Sequence, residues 1–572
     1  MADRTGTLSP AARDDAAAAL TGTELDVVVI GGGVVGAGCA LDAVTRGLST
    51  GLLEMRDFAS GTSSRSSKLI HGGLRYLEML DFRLVREALR ERGLLLSRLA
   101  PHLVRPVPFL YPLTHHVWER GYVGAGITLY DIMAGRDRGA LPRHRQLSRR
   151  AALRVCPALR PDSFVGAVQY WDAQVDDARH TMFVARTAAA YGAHVLSRAQ
   201  VIGFLREGGR ITGVRVRDLE RDREFEVRAR QVVNATGAWT DDTQALIGER
   251  GQFHVRASKG IHLVVPRDRI RSSTGMILRT ATSVLFVIPW GRHWIVGTTD
   301  TDWTLDKAHP AATRADIEYL LRETNQVLAT PLRHDDVEGV YAGLRPLLAG
   351  ESELTSKLSR EHLVATPVPG LVAVAGGKYT TYRVMAADAV DAAVHGLGGA
   401  IPPSCTDQTP LVGADGFAAL WNQRAALATG SGLHVARIEH LLGRYGSLVP
   451  EVLELLAADP RLARPVPGAD DYLMAEVRYA VLAEGARHVE DVLTRRTRIS
   501  IETFDRGVTA VRPVAMLMAD ALGWTAEQVD REVDSYRLRV EAERASQTQP
   551  DDRTAERIRR AAPDVVPVVR AA

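Results

Sequence analysis

The fold of the first part of the chain is decided by the stretch Leu25-Asp26-Val27-Val28-Val29-Ile30-Gly31-Gly32-Gly33-Val34-Val35-Gly36. Its apolar run predicts a short buried strand, and the G-x-G-x-x-G spacing after it opens a helical pattern to about Arg46. In such a turn Gly31 allows the tight bend, Gly33 lets the backbone approach a pyrophosphate, and Gly36 lets helix and strand pack closely. The helix N-terminus then offers free amides and positive partial charge to the phosphates.

A second strand and an acidic residue come after this turn. Residues 50 to 53 read as a strand, and Glu54 at its end stands where a carboxylate accepts hydrogen bonds from a ribose hydroxyl. A glycine-rich turn with only a packing role would not need a carboxylate at the end of the next strand. The combination therefore predicts a dinucleotide-binding βαβ unit.

The composition excludes several classes of protein. A length of 572 residues with 46% hydrophobic residues predicts two or three domains with large cores. The net charge of +3 is mild, and we find no RNA-binding or zinc-finger motif, so we expect no nucleic-acid partner. Three distant cysteines without C-x-x-C predict neither a disulfide framework nor a metal site and fit a reducing cytoplasm. No apolar run reaches the roughly 18 residues of a spanning helix, so we expect any membrane contact to be peripheral.

A reactive site beside the cofactor is predicted at the segment Ser66-Ser67-Lys68-Leu69-Ile70-His71-Gly72-Gly73-Leu74-Arg75-Tyr76. This segment places ionisable side chains around paired glycines directly after the βαβ unit. Lysine usage points to the same place. Only five of the 71 basic residues are lysines, and Lys68, Lys259 and Lys378 all lie in motifs that contain glycine or histidine. Either a compact ammonium is required at these three positions, or the five lysines of the chain are placed by chance.

The pattern along the chain predicts several regions. We expect residues 1–22 to be a flexible leader, 401–546 a helical domain and 547–572 a mobile tail. Between them, we expect residues 23–400 to form a cofactor-binding region. Its cofactor-binding segments are predicted at about 23–100, 165–245 and 365–400, and a mainly antiparallel substrate domain at about 101–164 and 246–364.

The identity of the cofactor depends on the segments beyond the first βαβ unit. A nicotinamide dehydrogenase usually continues with more parallel strands and helices. This chain instead delivers further glycine turns at Gly237 and at Gly376-Gly377, far along the sequence. One long cofactor touched by distant segments explains this layout better. FAD fits it, with the adenosine on the first unit and the isoalloxazine near the second domain.

A set of motifs in chain order makes the sequence similar to a known family. They are Thr62-Ser63-Ser64, 66–78, 233–237, 258–260, 297–300, 343–346 and 376–383. Over about residues 25–500 the chain resembles the FAD-dependent glycerol-3-phosphate dehydrogenases of bacterial and mitochondrial type. The resemblance implies an α/β, glutathione-reductase-like FAD domain, an antiparallel-sheet substrate domain and a C-terminal helical domain. Tyr379 stands where a leucine is common, and we expect no calcium-binding extension of the mitochondrial kind.

The resemblance also implies an activity, the oxidation of sn-glycerol 3-phosphate to dihydroxyacetone phosphate. A hydride would pass from C2 to flavin N5 and the electrons to a membrane quinone. Arg75, Arg345 and Lys378 are then the candidates for binding the phosphate, although each could also be a surface ion pair. Tyr76 and Thr299 are further candidates for substrate contact.

The catalytic base is predicted among histidines, because an imidazole titrates near neutral pH. We favour His71 over His262. A purely structural, hydrogen-bonded role for either histidine is an alternative, as is an alkoxide polarised by Arg345.

The predicted cofactor contacts include the glycine turns and the loop after the second strand. They are Gly31, Gly33, Gly36, Glu54, Thr62, Ser63, Ser64, Ser66, Lys68, Leu69, Gly73, Gly237, Trp239, Gly377, Lys378 and Thr380.

Two rival functions share much of this pattern. A glycerol-3-phosphate oxidase would pass electrons to oxygen and produce hydrogen peroxide. A non-catalytic flavoprotein would need no phosphate-binding cations, which argues against it. We prefer the quinone acceptor because the helical C-terminal domain carries arginines that could contact an anionic bilayer. These arginines are Arg487, Arg495, Arg496 and Arg498. The alternative is that the cluster is a solvated helix face, which is the more frequent case. We further expect a homodimer located in the cytoplasm or on the inner face of the cell membrane.

Overall fold

The computed structural model describes residues 5–73, 81–115, 118–135, 141–248, 254–280, 284–348 and 362–569. The strands, in chain order, are β1 Leu25–Ile30, β2 Thr50–Glu54, β3 Leu69–Ile70, β4 Val104–Leu113, β5 Arg145–Ser148, β6 Gly166–Val175, β7 His194–Ser197, β8 Ala199–Glu207, β9 Arg210–Asp218, β10 Arg223–Asn234, β11 Val255–Pro266, β12 Gly275–Arg279, β13 Val284–Trp290, β14 His293–Gly297, β15 Thr301–Trp303, β16 Gly339–Leu348, β17 His362–Val368, β18 Leu371–Gly376, β19 Pro465–Val466 and β20 Ala469–Leu473. The α-helices are α1 Pro10–Gly22, α2 Val34–Thr45, α3 Phe82–Leu94, α4 Trp118–Ala134, α5 Arg149–Val155, α6 Asp177–Ala190, α7 Thr240–Ala245, α8 Arg314–Asn325, α9 Tyr382–His395, α10 Phe417–Asn422, α11 Arg424–Ser431, α12 Val435–Tyr445, α13 Val449–Ala458, α14 Met474–Leu482, α15 Ile499–Glu502, α16 Val508–Leu522, α17 Ala526–Ser546 and α18 Asp552–Arg560.

The first sheet has the strand order β17-β18-β10-β1-β2-β7, with the β8–β9 hairpin attached to β10. β1 pairs in parallel with β10 and β2, and β10 pairs in parallel with β18. The carboxyl ends of these strands therefore meet at one edge. α2, α6 and α9 pack together beside this sheet. Close packing requires Gly38 of α2, because a Cβ there would lie 3.0 Å from the Ala386 Cβ. The predicted α/β class is confirmed.

The second sheet has the order β15-β11-β14-β13-β12-β4-β6-β3, with β16 on β11 and β5 on β6. Apart from the parallel pair β12–β4, the pairs of this sheet are antiparallel. This confirms the predicted antiparallel architecture of the second domain. Beyond residue 401 the described chain is mainly helical, as predicted, with one small hairpin of β19 and β20.

The prediction of a flexible leader is wrong for residues 10–22, which form α1. The Ser9 hydroxyl caps the helix by accepting a hydrogen bond from the Ala12 amide. Arg13 is buried and forms an ion pair of 2.8 Å with Asp218, a residue of the first sheet. Buried Leu20 adds an apolar contact to the core formed around β1 and β10. These contacts hold a segment whose composition alone resembles that of a solvated leader.

The prediction of a mobile tail is also wrong for the described residues 547–569. The Arg314 backbone amide and side chain donate to the carbonyls of Gln549 and Thr548. Asp552, at the start of α18, pairs with the buried ammonium of Lys259. Specific ion pairs therefore order a segment that is charged and rich in proline.

The C-terminal arginines do not form the predicted membrane surface. Arg495 and Arg496 are buried and both pair with Asp57, which lies just after β2. Arg498 is 2% exposed and pairs with Asp176 and Asp177. The pairs join the helical region to the loop after β2 and to the start of α6, because a buried charge needs a partner of opposite sign. Only Arg487 of the four is partly exposed. In the described part of the chain, no helix is both long and apolar enough to cross a bilayer.

Candidate active site

An elongated cavity of about 1090 Å³ runs between the two sheets. At one end it reaches the carboxyl edge of the parallel strands, where Gly31 and Glu54 line it. At the other end it reaches β3, β11 and β16, where His71, His262 and Arg345 line it. The cavity therefore joins the dinucleotide-binding turn to the cluster of ionisable side chains.

The turn after β1 accepts only glycine at two positions. Gly31 has φ +107°, and a Cβ there would lie 2.7 Å from the Ala235 carbonyl oxygen. A Cβ on Gly36 would lie 1.8 Å from the Gly31 carbonyl oxygen. The Val34 amide donates to the Ser63 hydroxyl over 2.9 Å, which ties the turn to the loop after β2. The turn thus presents bare backbone to the cavity.

Glu54 is fixed at the end of β2 by backbone amides. Its Oε2 accepts from the Gly32 amide at 2.6 Å and its Oε1 from the Arg56 amide at 2.7 Å. Burial raises the pKa of Glu54, and the two amides oppose that shift because they favour the carboxylate. The side chain is held at the cavity wall, as a partner for ribose hydroxyls requires.

Most of the predicted cofactor-binding residues line the cavity. They are Gly31, Gly33, Glu54, Thr62, Ser63, Ser66, Leu69, Gly237, Trp239, Gly377, Lys378 and Thr380. Gly36, Ser64, Lys68 and Gly73 are not part of that lining.

Lys68 supports the loop from behind the cavity wall. Its ammonium is fully buried, pairs with Asp177 at 2.7 Å and donates to the Ser64 carbonyl at 3.2 Å. Arg498 donates to the same Ser64 carbonyl and to Asp177. Sequence reasoning missed Asp177 and treated Arg498 as a surface residue. The only signal for the aspartate was its position at the start of a helix, where carboxylates are favoured.

The His71 segment is held by main-chain contacts. The His71 amide donates to the Thr380 hydroxyl and the Thr380 hydroxyl donates to the His71 carbonyl, each over 3.2 Å. The Gly72 amide donates to the Tyr130 hydroxyl over 2.8 Å, and Lys378 Nζ donates to the Gly72 carbonyl over 3.4 Å. These contacts place the His71 side chain at the cavity and bring β3, α4 and the turn after β18 together.

His262 is set deeper than His71. It is 2% exposed, stacks on Tyr341 with ring centroids 4.7 Å apart, and has Nε2 2.9 Å from the Ser67 hydroxyl. Burial first, and then the charges of Arg345 and Lys68, lower its pKa well below the usual range of a histidine. The ring is therefore neutral at neutral pH.

Arg345 is a cation fixed by the neighbouring turn. Its Nη1 and Nη2 each donate to the Thr299 carbonyl at 3.2 Å, and Nη2 donates to the Thr298 hydroxyl at 3.1 Å. It also pairs with Asp300 at 3.3 Å. A Cβ on Gly260 would lie 2.6 Å from Nη2, so the absence of a side chain there makes room for the guanidinium.

Three of the predicted substrate-binding residues are not among the described residues that line the cavity. The Thr299 hydroxyl accepts from the Ile261 amide at 3.1 Å and does not line the cavity. Arg75 and Tyr76 lie outside the described residues.

Family models match most of the length of this chain. Residues 26–383 match the family model described as FAD dependent oxidoreductase, and residues 404–529 match that of the C-terminal domain of alpha-glycerophosphate oxidase. Glycerol-3-phosphate dehydrogenase 2 of Mycobacterium tuberculosis is 61% identical over 557 residues, which cover 97% of this chain and 95% of that protein.

The chain belongs to the FAD-dependent glycerol-3-phosphate dehydrogenase family.

More distant relatives agree. The human mitochondrial glycerol-3-phosphate dehydrogenase is 37% identical, with 90% of this chain and 73% of that protein covered. The structure of the Bacillus halodurans glycerol-3-phosphate dehydrogenase, complexed with FAD, superposes with a TM-score of 0.78 at 30% identity and covers 93% of this chain and 98% of that one.

The family assignment makes the protein an FAD-dependent oxidoreductase, and the residues present fit that cofactor. The glycine turn leaves no side chain at the cavity wall, and Glu54 nearby offers a carboxylate of the kind that accepts from ribose hydroxyls. The same cavity, about 1090 Å³ in volume, also reaches the ionisable cluster of His71, His262 and Arg345. Sequence reasoning missed Gln200 and Val569, which also line the cavity and carry no recognisable motif.

Proposed function

We propose that this member of the family oxidises sn-glycerol 3-phosphate to dihydroxyacetone phosphate and passes the electrons to a membrane quinone. One observation supports the substrate above all: Arg345, Lys378 and His71 converge on the same end of the FAD cavity. The names of the full-length relatives support it further. A phosphate dianion needs fixed cations, and a secondary alcohol needs a proton acceptor, so this end of the cavity supplies both requirements.

Each side chain at this end has a separate task. Arg345 binds the phosphate through its planar guanidinium, and Lys378 adds a second positive charge from the turn after β18. His71 accepts the proton of the C2 hydroxyl while the bond from C2 to hydrogen breaks. FAD, when bound, supplies the acceptor for that hydride at flavin N5.

The neutral ring of His262 is the second candidate for the base. Its Nε2 lies beside the Ser67 hydroxyl, and Ser67 lines the cavity. A proton leaving the substrate through Ser67 would reach His262. His71 remains the preferred base because its side chain is only partly buried at the cavity, whereas His262 is 2% exposed and its Nε2 is already engaged with Ser67.

A membrane acceptor is supported by an apolar stripe on α4. The exposed fractions are 59% for Trp118, 55% for Tyr122, 38% for Leu129 and 68% for Ile132. These residues recur at helical spacing on one side, whereas Tyr130 points inward and is 1% exposed. Tryptophan and tyrosine are enriched at the interface between water and lipid, so the stripe has the composition of a surface-bound helix.

Basic residues border the stripe. Arg143, Arg145, Arg149 and Arg150 are all exposed. The segment that carries them contacts α4, since the His144 amide donates to Asp131 at 3.1 Å. An apolar helix face beside clustered arginines is complementary to an anionic bilayer. We therefore place the membrane contact at α4, and not at the buried C-terminal arginines.

The same helix supports the choice of acceptor. α4 carries the stripe on its outer side, and Tyr130 on its inner side contacts Gly72 of the active-site segment. A quinone in the bilayer would thus lie close to the reactive end of the cavity. The main alternative is an oxidase that reduces oxygen to hydrogen peroxide.

Anaerobic titration of the holoenzyme tests both parts of the proposal. Addition of glycerol 3-phosphate should bleach the oxidised flavin band, and a quinone analogue should restore it. No bleaching would exclude the substrate. Restoration only by oxygen, with stoichiometric peroxide, would establish the oxidase instead. The expected homodimer is checked separately by the molar mass in solution.

A further inference from the structure

The segment 563–569 lies against the adenosine end of the cavity. Val568 and Val569 line it together with Glu54 and Gln200. The Val569 amide donates to Gln200 Oε1 over 2.8 Å, and Gln200 Nε2 donates to the Val569 carbonyl over 2.7 Å. These two hydrogen bonds between the Gln200 side-chain amide and the Val569 backbone fix the segment at the start of β8.

Asp564 attaches the segment to both domains with one carboxylate. Arg56 Nε donates to Oδ2 over 3.0 Å, and His309 Nε2 lies 2.6 Å from Oδ1. Arg56 is two residues beyond Glu54 and sits over the Trp239 ring, which also lines the cavity. His309 comes from the loop between the second-sheet strands and α8. The contact therefore closes across the cleft between the two domains.

The chain before the segment is anchored independently. α18 is held by the pair of Asp552 with Lys259, and Lys259 also pairs with Asp316 at 2.6 Å. Residues 563–569 can thus detach while α18 stays in place. This separation distinguishes a local covering segment from a helix that supports the whole domain.

We propose that residues 563–569 form a strap over the adenosine end of the FAD site and set the rate at which FAD leaves. The valines add an apolar surface suited to a purine ring, and Asp564 and Gln200 hold the strap shut. The proposal rests on FAD as the cofactor and is independent of the substrate.

The test measures FAD release from the holoenzyme in the absence of substrate. Asp564→Asn, Gln200→Ala and a chain ending at Ala562 are compared with the wild type by the rise in free-flavin fluorescence after dilution. We expect release to accelerate at least about tenfold in the shortened chain and in Asp564→Asn, since a charge-assisted contact is lost, and by a smaller factor in Gln200→Ala.

The matched control is Asp534→Asn, which removes an exposed carboxylate from α17. It should release FAD at the wild-type rate. The thermal midpoints of the apoproteins separate cofactor retention from general stability, and we expect them to match. Release from the shortened chain within about twofold of the wild-type rate, or a similar acceleration in the control, would overturn the strap; a factor of two is far below the loss of a charged contact.

Discussion

Arg345 shows how a single cation is prepared for an anionic ligand. Its guanidinium is oriented by the Thr299 carbonyl and the Thr298 hydroxyl, so little side-chain entropy is lost when a phosphate binds. We expect Arg345→Ala to raise KM for glycerol 3-phosphate by about two orders of magnitude, the cost of losing charged hydrogen bonds. Steady-state kinetics and the flavin absorbance of the purified variant measure the two quantities, and FAD content should stay normal. Arg292→Ala, at a side chain 74% exposed, is the control. Unchanged kinetics would remove Arg345 from the substrate site.

The two histidines are distinguished by kcat. Loss of a general base typically reduces the rate by about 10² to 10⁴, so His71→Gln should lower kcat by such a factor with a smaller effect on KM. His262→Gln should lower kcat less, because its lowered pKa makes the ring a weaker proton acceptor and because the ring is set behind Ser67. Rapid mixing under anaerobic conditions monitors the flavin reduction step directly. The reverse order of effects would make His262 the base.

At the scale of the element, α4 links a surface to the active site. We expect the double variant Trp118→Ser and Ile132→Ser to lose flotation with vesicles that contain anionic lipid, because the exposed apolar stripe is removed. Flavin reduction by the substrate should be unaffected. Met516→Ser with Leu538→Ser, at side chains 59% and 53% exposed elsewhere, is the matched control. Undiminished flotation of the α4 variant would place the membrane contact on another surface.

The inner side of α4 is tested through Tyr130. Its hydroxyl accepts from the Gly72 amide and donates to buried Asp172 at 2.8 Å, and Asp172 pairs with Arg92. Tyr130→Phe leaves the amide and one carboxylate oxygen with one partner fewer. We expect the free energy of unfolding to fall by about 1 to 3 kcal/mol, and kcat to fall because the His71 segment loses its support. Urea unfolding and kinetics measure these effects. Tyr122→Phe, on the exposed side, should change neither.

At the scale of the whole molecule, His488 joins the turn between β9 and β10 of the first sheet to the C-terminal helical region. Burial and Arg198 lower its pKa, but hydrogen bonds to Glu220 and Glu532 outweigh them and raise it to about 9. Between pH 6.5 and 9 the folded protein therefore holds a proton that the unfolded chain has lost. The stabilisation is complete below pH 6.5 and is lost as the pH rises to about 9.

We expect the free energy of unfolding to decline by up to about 3 kcal/mol across this window. His488→Gln should flatten the decline, whereas His254→Gln, at a side chain 69% exposed, should not. Denaturant titrations at a series of pH values test this. A wild-type slope that persists in His488→Gln would assign the effect to another group.

A feature of this protein can be predicted from the sequence when it depends on neighbouring residues, and not when it depends on a contact between distant parts of the chain. The turn at Gly31 and the strands around it could be predicted, because backbone conformation and apolar runs are local properties. The scarcity of lysine singles out Lys68, but its partner Asp177 is 109 residues away and no local pattern connects them. The same holds for Arg496, whose burial depends on Asp57. Charge alone does not show whether an arginine faces water or a distant carboxylate.

The pairing of Asp57 with Arg495 and Arg496 has a consequence for biosynthesis. The loop after β2 is synthesised early, yet the two cations that neutralise its carboxylate are 438 and 439 residues further along. While the ribosome is still translating the intervening segments, the Asp57 carboxylate has neither of these two partners. Docking of the helical region onto this loop therefore has to follow the synthesis of Arg495 and Arg496.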